Sequence, residues 1–183
     1  DFIEGGDFNF LKFAHSRSSI RSYTGEKIPI DLIFKVIELA KTAPTACNRQ
    51  PYKVYYLDDK NQIDRILMVQ NGLTGFTKDI VQLLILAVDR NYFFTVGERN
   101  QMYVDGGIFL MNLLYALFYY KIGACPAHWA FNRDKDKIIQ KELKISDCEK
   151  VICLIPIGIP KSNFKTTLSL RRSNYEILKV IKN

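Results

Sequence analysis

The chain has 183 residues, 48% hydrophobic and 25% charged, which suits one domain (residues 1–183) with its own apolar core and argues against disorder. The net charge is +7, but the basic residues are scattered and no block of five like charges occurs. The excess therefore reads first as a solvated surface and second as a basic pocket for one phosphorylated cofactor, not as a nucleic-acid footprint. Four cysteines without a CxxC pair and only two histidines match no zinc spacing, so no metal site is expected. This cysteine usage fits a reducing cytoplasm.

The sequence begins at Asp1, carries no signal-peptide pattern, and its longest apolar run, residues 108–120, falls short of the ~20 residues of a membrane span. Asp7 can cap a short helix whose Phe8, Leu11 and Ala14 share a face. A polar, loop-like segment follows at residues 16–23. Asp31 is placed to cap a second helix with Leu32, Ile33, Val36, Ile37 and Ala40 along one stripe. Residues 43–51 form a loop bracketed by Pro44 and Pro51. Residues 52–57 read as a strand, 61–69 as a helix, and 82–88 as a continuous apolar strand buried on both faces. A long helical region at 97–120 is expected to break near Gly106-Gly107, and its apolar run 108–120 to be buried on all sides, in a core or a subunit interface. An apolar segment at 124–131, a helix at 134–143, a buried strand at 151–159 and a tail with Tyr175, Ile177, Leu178 and Ile181 complete the chain. Strands alternate with helices, so the class is mixed α and β. Periodicity does not choose between a mixed α+β sheet and a doubly wound one.

Five clusters could carry chemistry. Arg17, Ser18, Ser19 and Arg21 place two guanidinium forks and two hydroxyls in five residues, a phosphate-binding kit, although polar Arg-Ser loops are common. Pro44-Thr45-Ala46-Cys47-Asn48-Arg49-Gln50-Pro51 offers small residues for close approach to a flat ligand and amides for its polar edge, or is simply a helix-to-strand connector. Asp105-Gly106-Gly107 suits tight helix packing better than anion binding. Cys125-Pro126-Ala127-His128-Trp129-Ala130 suits the wall of a cofactor pocket. Cys125 and His128 lack the orienting third group of a nucleophile pair. Ser169-Leu170-Arg171-Arg172-Ser173 is a second Arg/Ser kit, or a basic surface tail. Cys148 and Cys153 flank an apolar stretch and read as buried thiols.

Taken in order, these segments resemble the nitroreductase family of FMN enzymes. Arg17-Ser18-Ser19-Ile20-Arg21-Ser22-Tyr23 resembles the family's Arg-x-Ser-x-Arg/Lys-x-Phe/Tyr motif. Ala43-Pro44-Thr45-Ala46-Cys47-Asn48-Arg49-Gln50-Pro51-Tyr52 resembles Ala-Pro-Ser-x-x-Asn-x-Gln-Pro-Trp. Asp105-Gly106-Gly107 with Asn112-Leu113-Leu114 is similar to its central helix, and Pro156-Ile157-Gly158-Ile159-Pro160 to its last core strand. The Cys125-Pro126-x-x-Trp129 form is similar to a subgroup found with surface-polysaccharide genes.

The resemblance implies an α+β fold with a mixed, mostly antiparallel sheet flanked by helices, and a homodimer built on the long apolar helix with FMN at its interface. Arg17, Ser18 and Ser19 would face the FMN phosphate side and Arg21 the pyrimidine edge, where a cation stabilises reduced flavin. Pro44, Thr45, Ala46 and Asn48 would reach the other subunit's flavin. Pro126, Ala127, His128, Trp129 and Ala130 would lie against the ring, and Arg171, with Arg172, would close on the phosphate. The implied activity is ping-pong hydride transfer from NAD(P)H through FMN to a quinone, nitro compound or other conjugated electrophile, with no obligate side-chain acid or base. Two alternatives keep FMN: an oxidase of a specific biosynthetic intermediate, or a flavin-binding partner without turnover whose acceptor face Trp129 blocks.

Overall fold

A computed structural model, which describes residues 9–181, shows a five-stranded sheet with helices on both faces. In chain order the main elements are α1 (Phe10–Ser16), α2 (Ile30–Ala40), β1 (Tyr52–Leu57), α3 (Lys60–Gln70), β2 (Gln82–Asp89), α4 (Gln101–Tyr119), β3 (Gly123–Ala124), β4 (Ala127–His128), α5 (Arg133–Leu143), β5 (Glu149–Gly158) and α6 (Asn174–Ile177). The sheet runs β1-β2-β5-β3, with β4 also paired to β5, and every pairing is antiparallel. The α+β expectation therefore holds and the doubly wound alternative falls.

The central strand explains the two-layer cover. Leu84 and Leu86 of β2 join the core beneath α2 and α4, while Leu83 and Ile85 join the core beneath α3 and α5. Successive side chains of a strand point to opposite faces, so a strand covered on both sides is apolar on both. The one buried amide of β2, Gln82, is taken up by the Ile28 backbone and the Tyr56 hydroxyl. Residues 82–88 are all buried.

α4 lies directly on the sheet. A Cβ added at Gly106 would stand 3.0 Å from Ile152 Cγ1 and 3.2 Å from Val88 Cγ2. The helix runs unbroken through Gly106 and Gly107, against the expected break, because both glycines lie within it and Gly106 serves packing. Within one chain α4 is buried on one side only. Phe109, Leu113 and Leu117 enter the core, whereas Val104, Ile108, Met111 and Tyr119 form an exposed apolar stripe. By length and composition Val96–Tyr119 is apolar enough to cross a membrane, a property the shorter run 108–120 does not suggest.

Some boundaries differ from expectation. Asn9 caps α1, its Oδ1 accepting from Lys12 N at 2.9 Å. Asp7 and Phe8 lie outside the described residues. α2 starts after Pro29, which places Asp31 in its first turn, where a negative charge still faces the helix's positive end. Residues 124–131 supply two short edge strands. Cys153 is buried but Cys148 is only half-buried. The tail from 161 to 181 is exposed throughout, so Tyr175, Ile177, Leu178 and Ile181 find no cover among the described residues.

Candidate functional site

The Arg/Ser segment is pinned from inside. Arg17 closes α1, its N–H donating to Phe13 O at 3.2 Å. Ile20 N then donates to Ala124 O at 2.9 Å, Thr24 N to Ile159 O at 2.9 Å, and Lys161 N to Ser22 O at 3.2 Å. Ile20 and Tyr23 are buried in the α3/α5 core. The Tyr23 hydroxyl donates to Ile20 O at 2.7 Å and Pro156 O at 3.2 Å. Burial, reinforced by Cys125 and opposed by Arg21, pushes its phenol far above the ordinary range, so it stays a neutral donor. With residues 20 and 23 turned inward, Arg17, Ser18, Ser19 and Arg21 are left to line an outer cleft.

That cleft has a volume of about 400 Å³ and is also lined by Ser169 and Arg171. Arg21 Nη1 donates to Thr167 Oγ1 at 3.4 Å across 146 residues of chain, and Arg171 Nη1 donates to Ser169 O at 2.8 Å. No acidic side chain among the described residues lines the cleft. Among the described residues no carboxylate pairs with Arg17, Arg21 or Arg171. Three unpaired guanidinium groups with hydroxyls between them form a donor set that fits the phosphate of FMN. Arg172, two residues from the α6 start, is exposed and does not line the cleft. His15, Thr166 and Thr167 line it without having been singled out in the sequence.

The proline-bracketed loop stands elsewhere. Cys47, Asn48 and Gln50 all take left-handed backbone, with φ of 51°, 54° and 50°, a conformation costing roughly 1–2 kcal/mol for an ordinary residue. The surroundings enforce it. Thr45 Oγ1 accepts from Gln50 N at 3.1 Å. The buried Asp105 carboxylate accepts from Ala46 N at 3.3 Å and from Gln101 Nε2 at 2.8 Å. Arg49 donates to Tyr92 O at 2.8 Å, pairs with Glu98, and lies over the rings of Phe93 and Phe94. The Arg49 hydrogen bond, with help from the Phe94 and Thr95 amides, holds the Glu98 carboxyl down to about 2. Arg49 is thus a latch rather than a ligand, and Pro44 and Asn48 are left exposed above it. Strain over-determined in this way marks a loop shaped for a task.

Residues 14–74 match the model of the nitroreductase family. A curated relative from Methanothermobacter thermautotrophicus, named "Putative NADH dehydrogenase/NAD(P)H nitroreductase", is 24% identical over 153 residues, 84% of this chain and 78% of that one. A crystal structure of a Parabacteroides distasonis protein with the same name superposes with a TM-score of 0.80 at 21% identity, covering 94% of this chain and 98% of that one. A Desulfovibrio desulfuricans protein, described as a "putative nitroreductase in complex with fmn", superposes with a TM-score of 0.77 at 20% identity over 94% and 96% of the two chains.

This is the nitroreductase fold.

Within the nitroreductase fold the edge strands connect the cleft to the rest of β5. Ala127 pairs with Leu154 and His128 with Cys153. Ala127 and Trp129 are buried, Pro126 is half-buried, and His128 and Ala130 are exposed. Trp129 therefore needs correction. Its indole sits in the α3/α5 core, edge-on to Phe131, and its Nε1 donates to Asp136 Oδ1 at 2.7 Å. Its backbone N–H donates to Ile152 O at 3.1 Å. The ring cannot face a cofactor outside the sheet, and the blocked-face alternative loses its ground. Cys125 is likewise buried. Burial pushes its thiol up, a nearby Arg21 hydrogen bond only partly offsetting this, and Cys153 is pushed up to about 12. A thiol so shifted is a poor nucleophile.

The structure thus brings Arg17, Ser18, Ser19, Arg21 and Arg171 together and keeps Pro44, Thr45, Ala46 and Asn48 away from them. The cleft lies at the Gly158 end of β5, where Ile20 meets Ala124. The loop lies at the opposite end, where Asp105 holds Ala46 and Pro51 O accepts from Asp89 N. Along α4, Asp105 and Leu117 are about 18 Å apart at 1.5 Å per residue.

Proposed function

We propose that this chain is an FMN-dependent oxidoreductase that passes electrons from NAD(P)H to an oxidised small molecule such as a quinone, nitro compound or other conjugated electrophile. The observation that carries the reading is the convergence of the two Arg/Ser segments on one cleft whose described lining holds no acid. The FMN bound by the similar Desulfovibrio protein supports the same cofactor. When bound, FMN supplies the hydride acceptor and the store for two electrons.

Arg17, Arg171, Ser18 and Ser19 bind the phosphate. Arg21, tied to Thr167, holds positive charge where reduced flavin becomes negative. The exposed edge at His128 and Ala130 borders the ring, with the half-buried Pro126 and the backbone of Ala127 and Trp129 fixing its course. Donor and acceptor would occupy the same face in turn, the flavin carrying the chemistry without an obligate side-chain acid or base. The test is FMN uptake by the purified protein at about one per chain, followed by anaerobic bleaching with NADH or NADPH and reoxidation by a small quinone. A colourless protein that takes up no FMN rejects the reading. Bound FMN that neither nicotinamide bleaches rejects the donor and favours the oxidase alternative.

The site is completed by a second copy of the chain. Pro44, Thr45, Ala46 and Asn48 stand too far along α4 to join their own chain's cleft, but a two-fold partner can present them to it. The exposed stripe of Val104, Ile108, Met111 and Tyr119 offers the seam for such a partner. Gly107, with open space where a Cβ would stand, lets a facing helix approach. Placing a charge in the seam with Ile108→Lys is expected to yield a folded monomer by sedimentation and to weaken FMN binding about tenfold or more. A dimeric variant with unchanged FMN affinity removes the α4 seam.

A further inference from the structure

β4 stops at His128, which leaves the lower end of β5 flanked by the starts of α4 and α5. A cavity of about 450 Å³ opens there, on the far side of the edge strands from the basic cleft. Its walls carry four cations. Arg90 is taken up by the backbone carbonyls of Asp147 and Cys148, and Lys150 by Asp136. Arg133 and Lys137, one turn apart on α5, make no hydrogen bond or ion pair among the described residues. Of the three acids, Asp136 holds Lys150 and the Trp129 indole, and Glu149 holds Lys53 and Tyr55. Only the Asp147 carboxylate is unpaired, so two free cations face one free anion. Tyr103 of α4, half-exposed, supplies a flat aromatic wall.

Cleft, edge strand and cavity follow one another along β5. The cleft lies by Gly158, the edge pairs with Leu154 and Cys153, and the cavity reaches Lys150 and Glu149. Ala130 and Arg133 are three residues apart, at most about 10 Å of chain. We propose that this cavity binds the nucleoside-diphosphate half of a dinucleotide, with its phosphates on Arg133 and Lys137 and its base against Tyr103. The proposal rests on the reading of the chain as an NAD(P)H oxidoreductase, and gives the donor a second anchor beyond its nicotinamide. Two exposed, unpaired cations with an aromatic plane suit a charged, flat ligand that must leave again after each turnover.

The test titrates ADP into the FMN-loaded protein by calorimetry and compares Arg133→Glu/Lys137→Glu. Both side chains are exposed and acidic residues near a helix start are favourable, so the variant is expected to fold and keep its FMN. ADP affinity is expected to fall about tenfold or more on reversing both charges. In steady state KM for NAD(P)H should rise, while reduced nicotinamide mononucleotide, which lacks the ADP half, should be used as well as by the unaltered protein. Failure of ADP to bind the unaltered protein, or equal binding by the variant, overturns the proposal. A protein that is bleached by NADH yet ignores ADP loses this site alone; a colourless protein that binds ADP through these residues keeps the site and loses the flavin reading.

Discussion

Replacing Arg17 and Arg171 together by alanine is expected to abolish FMN retention while leaving the protein folded. The two side chains reach the same cleft from opposite ends of the sequence, and among the described residues no carboxylate neutralises either. A hydrogen bond to a charged group contributes about 1.5–3 kcal/mol, so losing both contacts should weaken FMN binding by roughly 10²–10⁴-fold. Stability should hold, because Arg171 is exposed, Arg17 only half-buried, and their removal relieves mutual repulsion. Quenching of FMN fluorescence gives the affinity and a thermal melt gives the fold. Arg172→Ala is the control, since Arg172 does not line the cleft and its loss should leave FMN in place. Retention of FMN by the double variant, with an unchanged melt, would put the phosphate somewhere else.

The sequence announces some of this and conceals the rest for definite physical reasons. β2 is legible because burial on both faces demands an apolar run, and residues 83–88 supply one. The phosphate kits at 17–21 and 169–171 are legible as donor sets, but their convergence is a tertiary fact. Thr166 and Thr167, which complete the cleft, have no local signature. Trp129 misleads because an aromatic beside a proline looks like pocket lining. On a strand, however, one residue of register decides whether a side chain faces in or out. The pairing of His128 with Cys153 turns His128 outward and sends Trp129 into the core. Asp105 is visible beside the glycine pair, but its reach to Ala46, 59 positions away, is not. The tail's apolar spacing at Tyr175, Ile177, Leu178 and Ile181 suggests packing, yet all four side chains are exposed among the described residues.

Gly158→Ala should be among the most damaging single-methyl additions in the protein. Gly158 ends β5, paired with Gly123, and a Cβ there would stand 2.8 Å from both Cγ and Cδ1 of Tyr23. Neither side can yield easily. The strand is held in the sheet, and the Tyr23 ring is buried with its hydroxyl bound to Ile20 O and Pro156 O. Overpacking of this kind costs about 1–3 kcal/mol, and displacing the ring also strands two hydrogen-bond acceptors at about 1 kcal/mol each, so the sum is roughly 3–5 kcal/mol. For a chain of this length that is a fall of about 6–20 °C in Tm. Tyr23→Phe in the same background should bring no relief, because phenylalanine keeps the ring carbons that meet the new methyl. The effect should also reach the cofactor. Tyr23 is the pin that turns Arg17, Ser18, Ser19 and Arg21 outward, so FMN affinity should fall together with stability even though Gly158 touches no ligand. A variant that melts within about 2 °C of the unaltered protein and holds FMN as tightly would show that Tyr23 does not fix the phosphate segment.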